Sequence, residues 1–313
     1  MKEGKNKSKI DKSQIAWQTM VWPAVIFLFV FNILPLFGLV AAFQDFKLSL
    51  GFFKSPIAST DGVVDALKHF KFFFADPLVW QVIRNTVVMN ILGLIINFPM
   101  PIIFALLLNE MVNGKVRKGI QTISYLPHFF SWIVFGTMIT KIINPAVGLP
   151  AGLADLFGKE PVDLINEPKY FYGISVVTAM IKSLGWNSII YAAALTATDE
   201  SLIEYAQLEG ATRMQKWRYV YIPTISPAIV LYFIFAVGAL FGSNFDQIYI
   251  LKNELNKERA EVISTYVYQM GIGSGLFEIS YSTAVGIMQS IMSLLLVFGT
   301  NWLSKRITGK GII

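Results

Sequence analysis

The stretch EYAQLEGATRMQKWRYVYIP, residues 204–223, lies between two long apolar runs of a 313-residue chain. A short polar turn would join two apolar helices. Instead there is an amphipathic connector of about twenty residues with a glycine in its middle. Apolar side chains recur at Leu202, Tyr205 and Leu208, and again at Met214, Trp217 and Tyr221. Spacings of three and four put each set on one helix face. Gly210 sits between the sets; glycine weakens a continuous helix and reaches left-handed backbone at little cost. The pattern predicts two short helices meeting at Gly210–Ala211, with Pro223 and Pro227 marking the start of the next apolar helix. The plain alternative is an amphipathic helix that lies in lipid headgroups. Glu204 and Glu209 argue against it, because a segment meant for anionic lipid favours cations. A protein partner that receives the helix pair accounts better for the mixture.

The flanking sequence is that of a membrane protein. The chain is 54% hydrophobic and 15% charged, against roughly 25% charged residues in ordinary soluble domains. Six stretches approach the roughly 20 apolar residues a spanning helix needs, at about 17–43, 85–108, 120–143, 172–195, 225–249 and 282–303. The expected architecture is therefore all-α and polytopic. A basic tail, 1–16, precedes the spanning domain, 17–303; the connector occupies 199–224 and a second tail 304–313. The first run is too long for a cleaved signal and ends in LVAAFQDFKL, a poor cleavage site, so it reads as an uncleaved span. Cysteine is absent, which excludes disulfides and thiolate metal sites; two distant histidines, His69 and His128, make a metal or catalytic cluster improbable on numbers alone. The net charge of +6 is read as loop bias rather than as a nucleic-acid footprint.

Basic residues cluster in alternate loops: Lys2 to Lys12, then Lys115, Arg117 and Lys118, then Arg213, Lys216 and Arg218, then Lys305, Arg306 and Lys310. With six spans these fall on one side, and the positive-inside rule makes that side cytoplasmic, with both termini. The outer connections are then 44–84, with its aromatic run HFKFFFADPLVW, 144–171, rich in Pro, Gly and acids, and 250–281, in which ERAEVISTYVYQMGIG predicts a short helix ended by Gly271 or Gly273.

EYAQLEGA followed by YIP resembles the EAA loop of ABC importer permeases, with matches at Glu204, Ala206, Gly210, Ala211 and Pro223. Tyr205 stands where that loop usually has its second alanine, and Glu209 where aspartate is commoner. ILPLFGLVAAFQDF, NTVVMN, YLPHFFSW, GWNSIIYAAAL, FDQIYIL and NWLSKRITGKG extend the resemblance over nearly the whole chain, to the branch of the maltose and glycerol-phosphate type permeases that serves complex oligosaccharides. The resemblance implies a type I ABC importer permease fold and a bacterial cell membrane. It also implies that Glu204, Ala206, Glu209, Gly210, Ala211 and Pro223 belong to coupling helices that dock in a groove of a separate ATPase. It implies as partners a second, similar permease in a heterodimer, two ATPase subunits, an extracellular solute-binding lipoprotein, and an oligosaccharide. ATP and magnesium would belong to the ATPase subunits and no cofactor to this chain. The sequence agrees: a Walker A loop needs Gly-Lys followed by Ser or Thr, and no Gly-Lys pair here is so followed.

Polar residues inside spans are the candidates for substrate contact. They are Asn90 and Asn97, the latter before Pro99 and Pro101; Lys182, Trp186, Asn187 and Tyr191; Asn244 and Asp246; and Gln289. Amides and aromatic rings suit sugar hydroxyls and C–H faces, but the same residues also glue helices together or mark the interface. Lys182 is expected to snorkel outward or to pair with an acid. An importer for a peptide or glycerol phosphate is the nearest alternative. A phosphate ester would favour an arginine clamp, and in the outer half Arg84 alone sits beside a span. An ion-coupled transporter would show repeats and mid-span carboxylates, which the sequence lacks.

Overall fold

The computed structural model describes residues 12–242, 244–273 and 278–308. The outermost parts of the two expected tails, 1–11 and 309–313, lie outside the described residues. Among the described residues, five helices are long and apolar enough to cross a membrane. The first, α1 (Trp17–Phe43), tightens from α-helix through a π turn at Phe29–Ile33 into a 3-10 stretch, Leu34–Phe43. Pro35 falls at the start of that stretch, where its missing N–H is tolerated.

After a segment holding α2 (Lys68–Ala75), α3 (Pro77–Ile96) and α4 (Pro99–Asn109) form a second crossing broken at Asn97–Phe98. Asp76 caps α3 by accepting from the Leu78 N–H at 2.9 Å. Pro99 and Pro101 follow the break at once, and a proline removes a helix hydrogen bond and crowds the carbonyl four residues back.

The run expected as one span at 120–143 is two helices, α5 (Gly114–Phe129) and α6 (Trp132–Ile142), with α6 only 11 residues long. Pro127 weakens the last turn of α5, Phe130 and Ser131 are extended, and the Ser131 hydroxyl caps α6 at the Val134 N–H. The carbonyls orphaned by that break are taken up by Lys182, whose ammonium donates to Pro127 at 3.2 Å, to His128 at 3.0 Å and to Phe130. Lys182 is therefore buried against backbone oxygens, neither snorkelling nor paired with an acid.

An amphipathic helix, α7 (Leu149–Phe157), leads to α8 (Phe171–Leu195), the helix at the centre of the bundle. Its Gly185 lets α5 approach so closely that a Cβ there would lie 2.3 Å from the Ser124 carbonyl oxygen. The connector holds α9 (Glu200–Leu208), and then α10 (Arg213–Phe241) runs unbroken into the bundle. Two expectations are corrected here. The second helix of the connector is not short, and Pro223 does not start a new helix. A π turn at Trp217–Tyr221, closed by the Ile222 N–H on the Trp217 carbonyl, absorbs the donor that Pro223 lacks.

The fifth apolar run also ends earlier than 249. α10 stops at Phe241, and α11 (Phe245–Leu251) is separate, capped by Asn244. The segment ERAEVISTYVYQMGIG, expected to hold one short helix, holds a turn at Lys257–Ala260 and then α12 (Ile263–Tyr268), helical on through Gly273. α13 (Ile279–Thr308) is the last crossing.

The loops gather at two ends. At one, which carries Lys115, Arg117 and Lys118 of α5, Glu110 after α4 meets Arg213 and Lys216 of α10 at 3.7 and 3.9 Å. At the other, buried Asn85 of α3 donates to the carbonyls of Glu258 and Glu261 at 2.9 and 3.0 Å and accepts from the Tyr172 hydroxyl at 2.6 Å.

Candidate functional site

Two places in the molecule gather the residues singled out in the sequence. The first is the connector. α9 begins at Asp199, whose carboxylate accepts from the Ser201 N–H at 2.9 Å and is held below the usual carboxylate range by its bonds to the Ser201 hydroxyl and N–H. α9 ends in a six-residue Schellman turn. Gly210 takes φ +70°, its N–H reaches the Gln207 carbonyl at 3.0 Å, and the Ala211 N–H reaches the Ala206 carbonyl at 2.9 Å. α10 then starts with a capping box: the Thr212 N–H donates to Gln215 Oε1 at 2.7 Å, and the Gln215 N–H donates to Thr212 Oγ1 at 3.4 Å. Two helix ends, back to back and each closed by its own hydrogen bonds, make a rigid elbow.

The elbow has an inner and an outer face. Ile203 and Trp217 pack on the cluster of Leu106, Leu195, Tyr221 and Ile225 at the basic end. Glu204, Glu209 and Gly210 are exposed, and so are Leu202, Tyr205, Leu208 and Met214, with Leu208 at 87%. Ala206 and Ala211 are half-buried on the inner side. A helix pair that leaves four apolar side chains outside while its other face is packed is built to meet another surface.

The second place is the break between α3 and α4. A cavity of about 410 Å³ opens there between α3, α4, α8 and α10. It brings together four of the sequence candidates, Asn90, Asn97, Asn187 and Tyr191, and adds Tyr232 and Phe98. Among its lining residues there is no charge. Asn90 is fixed, donating to the carbonyls of Leu240 and Gly242 where α10 ends. Asn97 is different: its Oδ1 is buried and has no hydrogen-bond partner. An unpaired buried acceptor is costly, and here it borders an uncharged space large enough for a sugar ring.

The other candidates lie elsewhere. Trp186 stacks on His128 with ring centres 4.2 Å apart, sealing the break beside Lys182. Asn244 is the cap of α11, accepting from the Gln247 N–H, and Asp246 follows in the first turn of that helix, exposed. Gln289 is half-buried on α13, away from the cavity. Sequence reasoning missed Tyr232 and Gln247. Buried Gln247 ties α11 to α8 through the Ser175 carbonyl at 2.6 Å and Thr178 Oγ1 at 3.0 Å.

These features define a class: a multi-pass helical membrane protein with an uncharged cavity in its bundle and an exposed amphipathic elbow. Residues 87–309 match the family described as the binding-protein-dependent transport system inner membrane component, and the chain belongs to that family. It is 36% identical over 293 residues to the polygalacturonan/rhamnogalacturonan transport system permease protein YteP of Bacillus subtilis, covering 94% of this chain and 88% of that one. It is 34% identical to protein LplB of the same organism, over 93% and 88% of the two chains. Among solved structures, it superposes with a TM-score of 0.84, at 30% identity, on a chain of a bacterial alginate ABC transporter crystallised with an alginate pentasaccharide-bound periplasmic protein, covering 96% of this chain and 98% of that one. The all-α fold is thus that of ABC importer permeases, and the chain is a membrane transport component.

Proposed function

We propose that the chain is the transmembrane permease subunit of an ABC importer that takes up an oligosaccharide, handed over by an extracellular solute-binding lipoprotein. The observation that carries this reading is the uncharged cavity at the α3–α4 break, where Asn97, Asn187, Tyr191 and Tyr232 converge and one amide oxygen is unpartnered. Amides offer bonds to hydroxyls and the rings offer faces to C–H groups. The lining holds no lysine or arginine to clamp a phosphate ester, which weighs against glycerol phosphate. The relative named for polygalacturonan and rhamnogalacturonan transport and the structural neighbour crystallised with an oligosaccharide-bound periplasmic protein support the same substrate class.

In this reading the basic end faces the cytoplasm, with both termini. The elbow formed by Glu204 to Ala211 sits in a groove of one of two separate ATPase subunits, which bind ATP and magnesium. A second, similar permease completes the pathway. Closure of the ATPase pair would push the elbow as a rigid body, and because α10 continues unbroken from the elbow past the cavity, the push reaches Tyr232 without crossing a joint.

The test is ATPase stimulation in the reconstituted complex by a panel of oligosaccharides, peptides and glycerol phosphate, each presented with its binding protein. Oligosaccharides alone should stimulate. Stimulation by a peptide or by glycerol phosphate, with none by any oligosaccharide, would overturn the substrate class.

A further inference from the structure

A second groove, of about 370 Å³, opens at the basic end between α4, α5 and α8. Its polar lining is Asn109, Arg117, Lys118, Gln121, Tyr125 and Thr196, with no acid among the lining residues. Arg117 is half-buried, and neither it nor Lys118 forms an ion pair among the described residues. The nearest carboxylate along the chain, Glu110, is engaged by Arg213 and Lys216 instead.

The position of these cations is unfavourable without a counter-charge. Lys115, Arg117 and Lys118 all lie in the first turns of α5, whose first turn has no acid. A helix N-terminus already carries partial positive charge and favours anions. Asn113 caps only the N–H groups of Lys115 and Val116. Topology alone explains basic residues in this loop, but not why two of them line a concave site with two amides and two hydroxyls, walled by two other helices.

The rest of the groove selects among anions. Leu108, Ile189 and Ala192 continue its wall. Of these, Ile189 on α8 is 37% exposed and lies about two turns before the loop that follows that helix. A site with its cations at the loop and its apolar wall running inward matches a headgroup with an attached acyl chain better than a free ion.

We propose that this groove binds the headgroup of a net-anionic phospholipid, its phosphate on Arg117 and Lys118 and an acyl chain along α5 and α8. Native mass spectrometry of the purified full-length chain, supplied with phosphatidylglycerol or phosphatidylcholine, reads it directly. Phosphatidylglycerol should be retained roughly tenfold better than phosphatidylcholine, and Arg117→Gln with Lys118→Gln should remove that preference. Lys115→Gln, which deletes the same charge outside the groove, should leave it nearly intact, and Arg117→Lys should restore most of it. A photoactivatable phosphatidylglycerol on the wild-type protein should label peptides from 114–129 and 171–196, so the site is read even if the double variant misfolds. Equal losses for Lys115→Gln, or equal retention of the two lipids, would overturn the proposal. Displacement of the lipid by millimolar inorganic phosphate would assign the groove to a free anion. A cross-link from position 117 to an acidic residue of a companion subunit in the intact complex would assign it to a protein partner.

Discussion

At the scale of single residues, two positions set the geometry and make opposite demands. Gly210 has φ +70° and nothing within 4 Å of the place a Cβ would occupy. The demand is conformational, not steric. Left-handed backbone costs an ordinary residue about 1–2 kcal/mol and asparagine less. Gly210→Asn should therefore transport nearly as well as wild type, Gly210→Ala less, and Gly210→Val least, while ATP turnover persists in all three; uptake per ATP in proteoliposomes measures the series. Equal uptake by the Asn and Val variants would refute the elbow. Lys182 is a demand of chemistry: three carbonyls of the α5–α6 break rely on one ammonium. Lys182→Met leaves them unpaired, at about 1–3 kcal/mol for a buried acceptor. Its thermal midpoint in detergent should fall by several degrees, whereas Lys182→Arg, which still donates, should fall less. The sequence displayed Lys182 as a mid-span charge but not its partners, because the break at Phe130–Ser131 lies inside a run that reads as continuous apolar helix.

At the scale of elements, the α9–α10 elbow was the most legible part of the chain. Period-three spacing, a central glycine and downstream prolines marked it. Its second half was misjudged because Pro223 reads as a boundary, whereas a π turn lets α10 pass through it. The capping box was readable as Thr212-x-x-Gln215. That box gives a prediction specific to the start of α10. Thr212→Ala should cost about 1 kcal/mol locally, seen as roughly fivefold faster hydrogen exchange at residues 213–216, with exchange in α8 unchanged. Beneath the elbow lie three of the five buried polar atoms without hydrogen-bond partners among the described residues: Glu110 Oε1, which meets Lys216 only as an ion pair at 3.9 Å, Thr198 Oγ1 and Trp217 Nε1. Incomplete hydrogen bonding is thus concentrated at one junction, which fits the proposed movement of the elbow.

At the scale of the whole molecule, apolar runs and alternating basic loops outlined the bundle, since both follow from the bilayer as solvent. The breaks within crossings were less legible. A helix break inside protein needs compensating donors from elsewhere in the chain, and those donors, Lys182 for α5–α6 and Asn90 for the end of α10, are 40 or more residues away or on another crossing. The cavity depends on this distinction between polar residues that close breaks and those left open. Asn90 and Asn97 looked alike in sequence, yet Asn90 donates to two carbonyls while the Asn97 oxygen is unpaired. Replacing each with leucine should separate structure from function. Asn90→Leu strands the Leu240 and Gly242 carbonyls, so thermal stability and transport should fall together. Asn97→Leu removes an acceptor that stabilises nothing in the empty protein, so the midpoint should hold or rise. The oligosaccharide concentration needed for half-maximal ATPase stimulation should then increase roughly tenfold, the equivalent of one good hydrogen bond. Measured side by side in the reconstituted complex, a fall in stability for Asn97→Leu equal to that for Asn90→Leu, with substrate response unchanged, would mean that the cavity is a packing defect and that sugar passes elsewhere.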